Sequence, residues 1–222
     1  MLRRSRGNTV RVSIRIVDWF PPLFHDREEA GRTLAAAVPE PEPGPQPLVV
    51  ALARGGVAVA VEVARRLDAP LTAAAVARVD ARGLRLGATT AEGPPFLLDG
   101  HGVPGEEVAA LVERARREAA ALERRLELRR PPLAGRHAVV VDDGLVTGLT
   151  LAAGCRWASA AGAARVTAAT PVGAPRGLAR VAAEGADVVC PHVLEQLAVV
   201  GQAYELFDPL DEWYVAGLLG RA

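Results

Sequence analysis

Short apolar runs and longer amphipathic stretches alternate along most of this chain. Leu48–Leu52 is a continuous apolar run of strand length, and Ala138–Val141, between His137 and Asp142, is another. Runs of this kind are buried on both faces, as in a parallel sheet. Further strands are read at Leu71–Val79, 165–170 and 186–190. Helical patterns fall between them, at Gly56–Leu67, from about Gly105 to Arg129, from about Gly148 to Ala160, and at 175–184. The long third helix carries the stripe Val108, Leu111, Val112, Ala115, Ala119, Leu122 and Leu126, with a Glu113/Arg117 pair at i,i+4 on its polar face. Strands alternating with helices predict an α/β fold on a doubly wound, mainly parallel sheet of about five strands.

The ends and one internal segment are less regular. Val10, Val12, Ile14 and Ile16 alternate with polar residues, which is strand periodicity for an added edge strand or a poorly ordered leader. Asp26-Arg-Glu-Glu29 reads as a capping box opening a helix to about Val38. Pro39-Glu-Pro-Glu-Pro-Gly-Pro-Gln-Pro47 is an extended linker by composition. Residues 80–103 are rich in Gly and Pro and read as irregular, with a hairpin around Leu84–Thr89 and Pro95–Leu98. Residues 191–222 have a mixed pattern.

Composition narrows the function classes. Half of the 222 residues are apolar, so a sizeable core is available. The formal net charge is zero, which argues against a nucleic-acid partner. No apolar run approaches the ~20 residues of a membrane span, and the N-terminus has no continuous apolar segment of a secretory signal. Cys155 and Cys190 are the only cysteines and suggest neither a disulfide framework nor a metal site; two buried thiols in a reducing cytoplasm are expected. Every basic residue apart from histidine is an arginine. Any side-chain cation in a site is therefore a guanidinium, suited to phosphate and unfit as a proton donor or base.

Chemistry concentrates where strands end, the place where open α/β sheets hold ligands. After the strand at 137–142 come Asp142-Asp143-Gly144-Leu145-Val146-Thr147-Gly148-Leu149-Thr150, opening a helix. Adjacent carboxylates can accept hydrogen bonds from two neighbouring sugar hydroxyls, and the N–H groups of the loop and helix start can hold a phosphate dianion. Gly148 allows close backbone approach, and Thr147 and Thr150 add donors. Ala53-Arg54-Gly55-Gly56 follows the first core strand and offers a second anion site through converging N–H groups and one guanidinium. Arg78, near the end of the next strand, is read as a diphosphate contact, with Arg82 and Arg85 as weaker candidates.

The run Asp142–Thr150 resembles the 5-phosphoribosyl diphosphate (PRPP) binding motif of type I phosphoribosyltransferases. The resemblance extends through Phe24–Leu34, Ala53–Gly56 with Ala64, and Val200-Gly201-Gln202-Ala203-Tyr204, to a bacterial group of that family over roughly residues 22–215. It implies a type I phosphoribosyltransferase-like fold in cytoplasmic nucleotide metabolism. Residues 1–21 become an N-terminal extension and residues 22–215 the transferase domain. A small C-terminal hood is formed mainly by 191–215, and 216–222 is a tail. The resemblance places Asp142 and Asp143 on the ribose hydroxyls. It places Gly144, Leu145, Val146, Thr147, Gly148, Leu149 and Thr150 around the 5′-phosphate, and Arg54, Gly55 and Gly56 at the diphosphate. It implies Mg2+ carried mainly by PRPP rather than by a protein metal site, a small-molecule acceptor, and room for a homodimer. The reaction implied is transfer of the 5-phosphoribosyl group to a nitrogen acceptor with release of diphosphate, a glycosyl transfer assigned to Asp142, Asp143, Arg54 and Arg78.

The chain departs from the family in three places. Ala53 stands where the family usually has proline. The segment Asp80–Thr89 is shortened, lacks the usual lysine, and has Arg85 near the usual acid, so turnover is expected to be slow. Members that use 6-oxopurines typically have an aspartate at the position of Val146, so hypoxanthine and guanine are expected to be poor acceptors. The alternative reading is a non-catalytic PRPP or nucleotide-binding regulatory protein on the same fold. His192, Gln202 and Tyr204 are polar groups of the hood region that can face the site or serve structure alone.

Overall fold

The computed structural model describes residues 11–14 (as backbone), 21–40, 43–129 and 132–220. In chain order the elements are β1 (Arg11–Ile14), α1 (Arg27–Ala37), β2 (Pro47–Ala53), α2 (Gly56–Leu67), β3 (Leu71–Ala81), β4 (Leu84–Thr90) and β5 (Phe96–Leu97). There follow α3 (Gly105–Arg125), β6 (His137–Val141), α4 (Leu149–Ala160), β7 (Arg165–Ala169), β8 (Val172–Gly173), α5 (Pro175–Ala183) and β9 (Asp187–Val193). A 3-10 turn at Val200–Ala203 and α6 (Glu212–Leu219) close the series.

The strands form one sheet in the order β1-β9-β7-β6-β2-β3-β4-β5, with β8 paired to β9 beyond the end of β7. The five expected core strands are present and mutually parallel, from β9 through to β3. The sheet is nonetheless wider than the five strands expected. Edge strand β1 pairs with β9, while Val10 and Ile16 of its periodic pattern lie outside the described residues. At the other edge, β3 runs on to Ala81 and folds back antiparallel as β4, which in turn pairs with β5. Within the segment read as irregular, the hairpin expected around Leu84–Thr89 and Pro95–Leu98 is present as β4 and β5, and β3 adds Asp80 and Ala81. That continuation of β3 has no sequence signal, because packing against α3 rather than propensity decides it.

The continuous apolar run of β2 resolves into two faces. Leu48, Val50 and Leu52 pack with residues of α4 and α5, whereas Val49 and Ala51 pack with α1, α2 and Val215 of α6. Ala138 and Val140 of β6 follow the first face, Val139 and Val141 the second. The alternation is the period of two that a strand imposes, with both faces covered. Val79, Ala81 and Leu86 of the β3–β4 hairpin receive Val108, Val112 and Ala115 of α3. On α3, Glu113 pairs with Arg116 at 2.7 Å, one residue earlier than the expected partner Arg117. Cys155 and Cys190 are buried free thiols.

Local signals explain several ends. Asp26 Oδ1 accepts the Glu29 N–H at 2.9 Å, while the Glu29 carboxylate reaches one residue further back, to the His25 N–H, at 2.6 Å. Pro47, expected in the linker, is instead the first residue of β2, a position that needs no ladder donor. A small apolar cluster lies outside the sheet layers: Phe24, Leu194, Leu197, Ala203 and Tyr204, with Val172 and Ala174. Its two segments are zipped together, Phe24 N to Ala203 O at 3.0 Å and Leu206 N to His25 O at 2.8 Å. The 215/216 boundary drawn between hood and tail falls inside α6. Among the described residues no helix is long and apolar enough to cross a membrane.

Candidate functional site

Strands β2 and β6 are neighbours in register, with Ala51 opposite Val141. The two glycine-bearing loops that follow them are therefore side by side at the carboxyl end of the sheet. Their fit requires glycine: a Cβ on Gly56 would lie 2.6 Å from the Val141 carbonyl oxygen, and one on Gly55 only 2.1 Å from Asp143 Oδ2. The Ala53–Arg54 peptide is cis.

The loop after β6 is pinned as backbone. Leu145 N–H donates to Val172 O at 3.0 Å, and Ala174 N–H donates to Leu145 O at 2.9 Å. Gly148 is the N-cap of α4 at φ 74°, a left-handed conformation that favours glycine. The first bond of α4 runs from Ala152 N–H to Gly148 O. The N–H groups of the first turn thus have no partner within the helix and point at the loop, where the helix dipole favours an anion. Helix α5 braces the loop from behind. A Cβ on Gly148 would lie 2.5 Å from Gly177 O, one on Gly177 would lie 2.5 Å from Val146 O, and the Arg180 guanidinium donates to Thr147 O. Gly177 and Arg180 gave no sequence signal, because their part is visible only once α5 is packed.

These parts enclose a cleft of about 220 Å3, lined by Asp142, the 144–148 loop, Thr150, Arg85 and Ala198–Val200. Leu145 and Leu149 are buried in the core, and Val146 is half-buried between cleft and apolar cluster. Three of the expected cations differ in placement. Arg85, the weaker candidate, lines the cleft. Arg78 is 60% exposed and pairs with Asp80 at 3.6 Å. Arg54 is exposed at the start of the Gly55 turn. Neither Arg54 nor Arg78 is among the cleft-lining residues.

The two carboxylates are unlike. Burial, reinforced by the charge of Asp143, holds the Asp142 carboxyl well above the usual carboxylate range. Burial also raises Asp143, though Arg27 counters part of the rise: its Nε donates to Asp143 Oδ2 at 2.8 Å. The side chains of this pair are 9% and 13% exposed. Arg27 had no role assigned from sequence; it stands 116 residues away and looks like one more polar residue in a helix-capping sequence. Tyr204 donates from its hydroxyl to the Asp143 carbonyl oxygen at 2.5 Å, and burial keeps that hydroxyl protonated. Gln202 Oε1 accepts from the Ala198 and Val199 N–H groups at 3.0 and 3.3 Å and so shapes the cleft wall. His192 packs edge-on against Phe24, with ring centres 5.4 Å apart.

The acidic pair and the glycine loop thus meet at the carboxyl end of a doubly wound sheet, the place where open α/β sheets hold ligands. The comparisons with known proteins give the family and the fold. The phosphoribosyl transferase domain model matches residues 25–201. A Mycobacterium tuberculosis (strain H37Rv) protein named "Putative phosphoribosyl transferase Rv0571c" is 38% identical over 210 residues, which is 90% of this chain and 47% of that protein. The chain thus spans about half the length of the curated relatives it matches. The crystal structure of TT1426 from Thermus thermophilus superposes with a TM-score of 0.75 at 34% identity, covering 88% of this chain and 97% of that one. The chain belongs to the phosphoribosyl transferase domain family, and its fold is that of the type I phosphoribosyltransferases.

Proposed function

We propose that this chain is a PRPP-dependent phosphoribosyltransferase that moves the 5-phosphoribosyl group to a nitrogen acceptor and releases diphosphate. The observation that carries the reading is the single cleft in which Asp142 meets the 144–148 loop at the start of α4, with the Gly55 turn against the adjoining Asp143. In this reading the α4 end and Thr150 hold the 5′-phosphate, Asp142 accepts from ribose hydroxyls, and the Arg54–Gly56 turn receives the diphosphate. The acceptor lies toward Val146 and Ala198–Val200, where the lining is apolar side chains and backbone.

Among the described residues no group of three or more His, Cys, Asp or Glu is placed to hold a metal ion. A buried carboxyl beside a second one, as at Asp142, favours a ligand that brings positive charge with it. That charge balance at Asp142 fits Mg2+ carried by the diphosphate, where it would neutralise the charge of the leaving group. The protein's own part is to hold the ribose between two anion sites, so that departure of diphosphate and approach of the nitrogen occur in one fixed geometry.

One observation favours a second reading, a PRPP-binding regulatory protein. The segment 80–90 is paired into the sheet as the β3–β4 hairpin, whereas fast transfer calls for a segment that closes over the site and excludes water. An acceptor screen separates the two. Calorimetry first establishes PRPP binding with Mg2+; a panel of nitrogen acceptors is then assayed for diphosphate release. Release with any acceptor supports the transferase. Tight PRPP binding with none across a broad panel supports the regulator, and no PRPP binding overturns both.

A further inference from the structure

The side chains of Arg27, Phe207 and Tyr204 form a closed circuit with Asp143. Arg27 Nε donates to Asp143 Oδ2 at 2.8 Å, and Arg27 Nη1 donates to the Asp208 carbonyl oxygen at 3.0 Å. The Arg27 guanidinium lies over the Phe207 ring, 3.8 Å from its centre. Phe207 stacks on Tyr204 at 4.8 Å, and the Tyr204 hydroxyl returns to the Asp143 carbonyl oxygen. Arg27 is 8% exposed, so its pairing with Asp143 is shielded from water. On its other side the Asp143 carboxylate is pressed against Gly55, where a Cβ would meet Oδ2 at 2.1 Å. The cleft is lined by Asp142 and not by Asp143. Asp142 Oδ1 in turn accepts the Asp143 N–H at 3.0 Å.

We propose that Arg27 is a positioning residue: it takes Asp143 as its own partner, leaves Asp142 as the carboxylate that faces the ligand, and through Asp143 fixes the Gly55 turn and the 204–208 segment against the site. This rests on the reading that the cleft takes PRPP. The two adjacent aspartates then have different work. Asp142 contacts ribose. Asp143 is the joint at which α1, the turn after β2 and the 204–208 segment meet. The guanidinium suits this joint because its fork serves a carboxylate, a carbonyl and an aromatic face at once, which an ammonium cannot do. Loss of Arg27 leaves a buried carboxylate without a counter-ion, and that carboxylate must turn toward water or take up a proton. Either change frees the Gly55 turn. Residues 145–148 of the loop are held separately, by β8 and α5.

The test is calorimetry with PRPP and Mg2+, with diphosphate, and with inorganic phosphate as the probe of the 144–150 loop. It compares the wild type with Arg27→Lys, Arg27→Met, Asp143→Asn and the double variant Arg27→Met/Asp143→Asn, each well below its melting temperature. Arg27→Met is expected to lose at least about tenfold in affinity for PRPP and diphosphate, the scale of one buried charge-assisted contact. Inorganic phosphate should hold within about twofold, well under the tenfold that 1.4 kcal/mol represents. Arg27→Lys should recover part of the loss. The double variant should be no weaker than the weaker single one, because both changes break one contact. Unchanged diphosphate and PRPP affinity in Arg27→Met overturns the proposal. So does an equal loss for inorganic phosphate, which marks a merely structural pair, and so does full additivity in the double variant. If Arg27→Met does not fold, Asp143→Asn decides by the same comparison. A wild type that binds diphosphate but not PRPP defeats the transferase reading, while the diphosphate series still decides the role of Arg27. A wild type that binds none of the three overturns both.

Discussion

Asp142 stands at the strand end with a raised affinity for its proton, caused first by burial and then by the charge of Asp143. A carboxyl whose native pKa exceeds its unfolded value binds more protons native than unfolded between the two values, so it makes the ligand-free protein less stable as pH rises through that window. The window opens near the ordinary value of 3.8 and closes above it. Asp142→Asn is therefore expected to raise the melting temperature of the ligand-free protein at pH 7 and to flatten its decline with rising pH. The same variant should lose PRPP, by the roughly 1.5–3 kcal/mol of a charge-assisted contact. Scanning calorimetry from pH 4 to 8 checks the first part. A variant less stable than the wild type at pH 7 would show that Asp142 serves the fold and not a ligand. A destabilising group kept at a site is the usual mark of function.

At the scale of the element, the glycine contact between the α4 loop and α5 decides what Gly148 is for. From sequence, Gly148 is read as leaving space for a phosphate. In the structure the space its Cβ would fill is occupied by Gly177 O, and its φ of 74° adds a second reason for glycine. Gly148→Ala should cost about 1–2 kcal/mol for the left-handed backbone, with about 1–3 more for overpacking against α5. Denaturant unfolding should thus register it, and phosphate affinity should fall with it. Full stability with lost phosphate binding would return Gly148 to the purely ligand-facing role. Here the limits of legibility are physical. The helix Gly56–Leu67 and the loop 142–150 were readable because each rests on local order: an amphipathic stripe, or a strand end followed by a glycine loop. Gly177, Arg180 and Arg27 were not, because each acts across a contact distant in sequence. The β3–β4 hairpin was half readable. Its second half, at Leu84–Thr89, has strand pattern, but the continuation of β3 past Val79 depends on α3 covering Val79 and Ala81.

At the scale of the whole molecule, the fold sets the two glycine-bearing turns proposed as anion sites after the neighbouring strands β2 and β6, with an apolar cluster beside them. Val146 joins that cluster and lines the cleft, and its side chain can neither accept a proton nor hydrogen-bond a ring N–H. Hypoxanthine and guanine are accordingly expected to be poor acceptors, with Val146→Asp gaining 6-oxopurine activity at a cost of about 1–3 kcal/mol in stability for the half-buried charge. Efficient conversion of either base by the wild type would show that Val146 does not face the acceptor. Arg54 belongs to the diphosphate end in the same account. Arg54→Ala should weaken PRPP and free diphosphate but leave a nucleoside monophosphate within about twofold, far less than a charged contact provides. Equal weakening of all three would make it a general phosphate or folding residue.

The central claim is that the acidic pair and the 144–150 loop together form a PRPP site. The most direct test is a calorimetric titration of PRPP with Mg2+ into the wild type and into Asp142→Ala/Asp143→Ala. Saturable binding by the wild type, lost in the double variant while inorganic phosphate still binds both, is the predicted result. Equal PRPP affinity in the two proteins, or no PRPP binding by the wild type, would contradict the account.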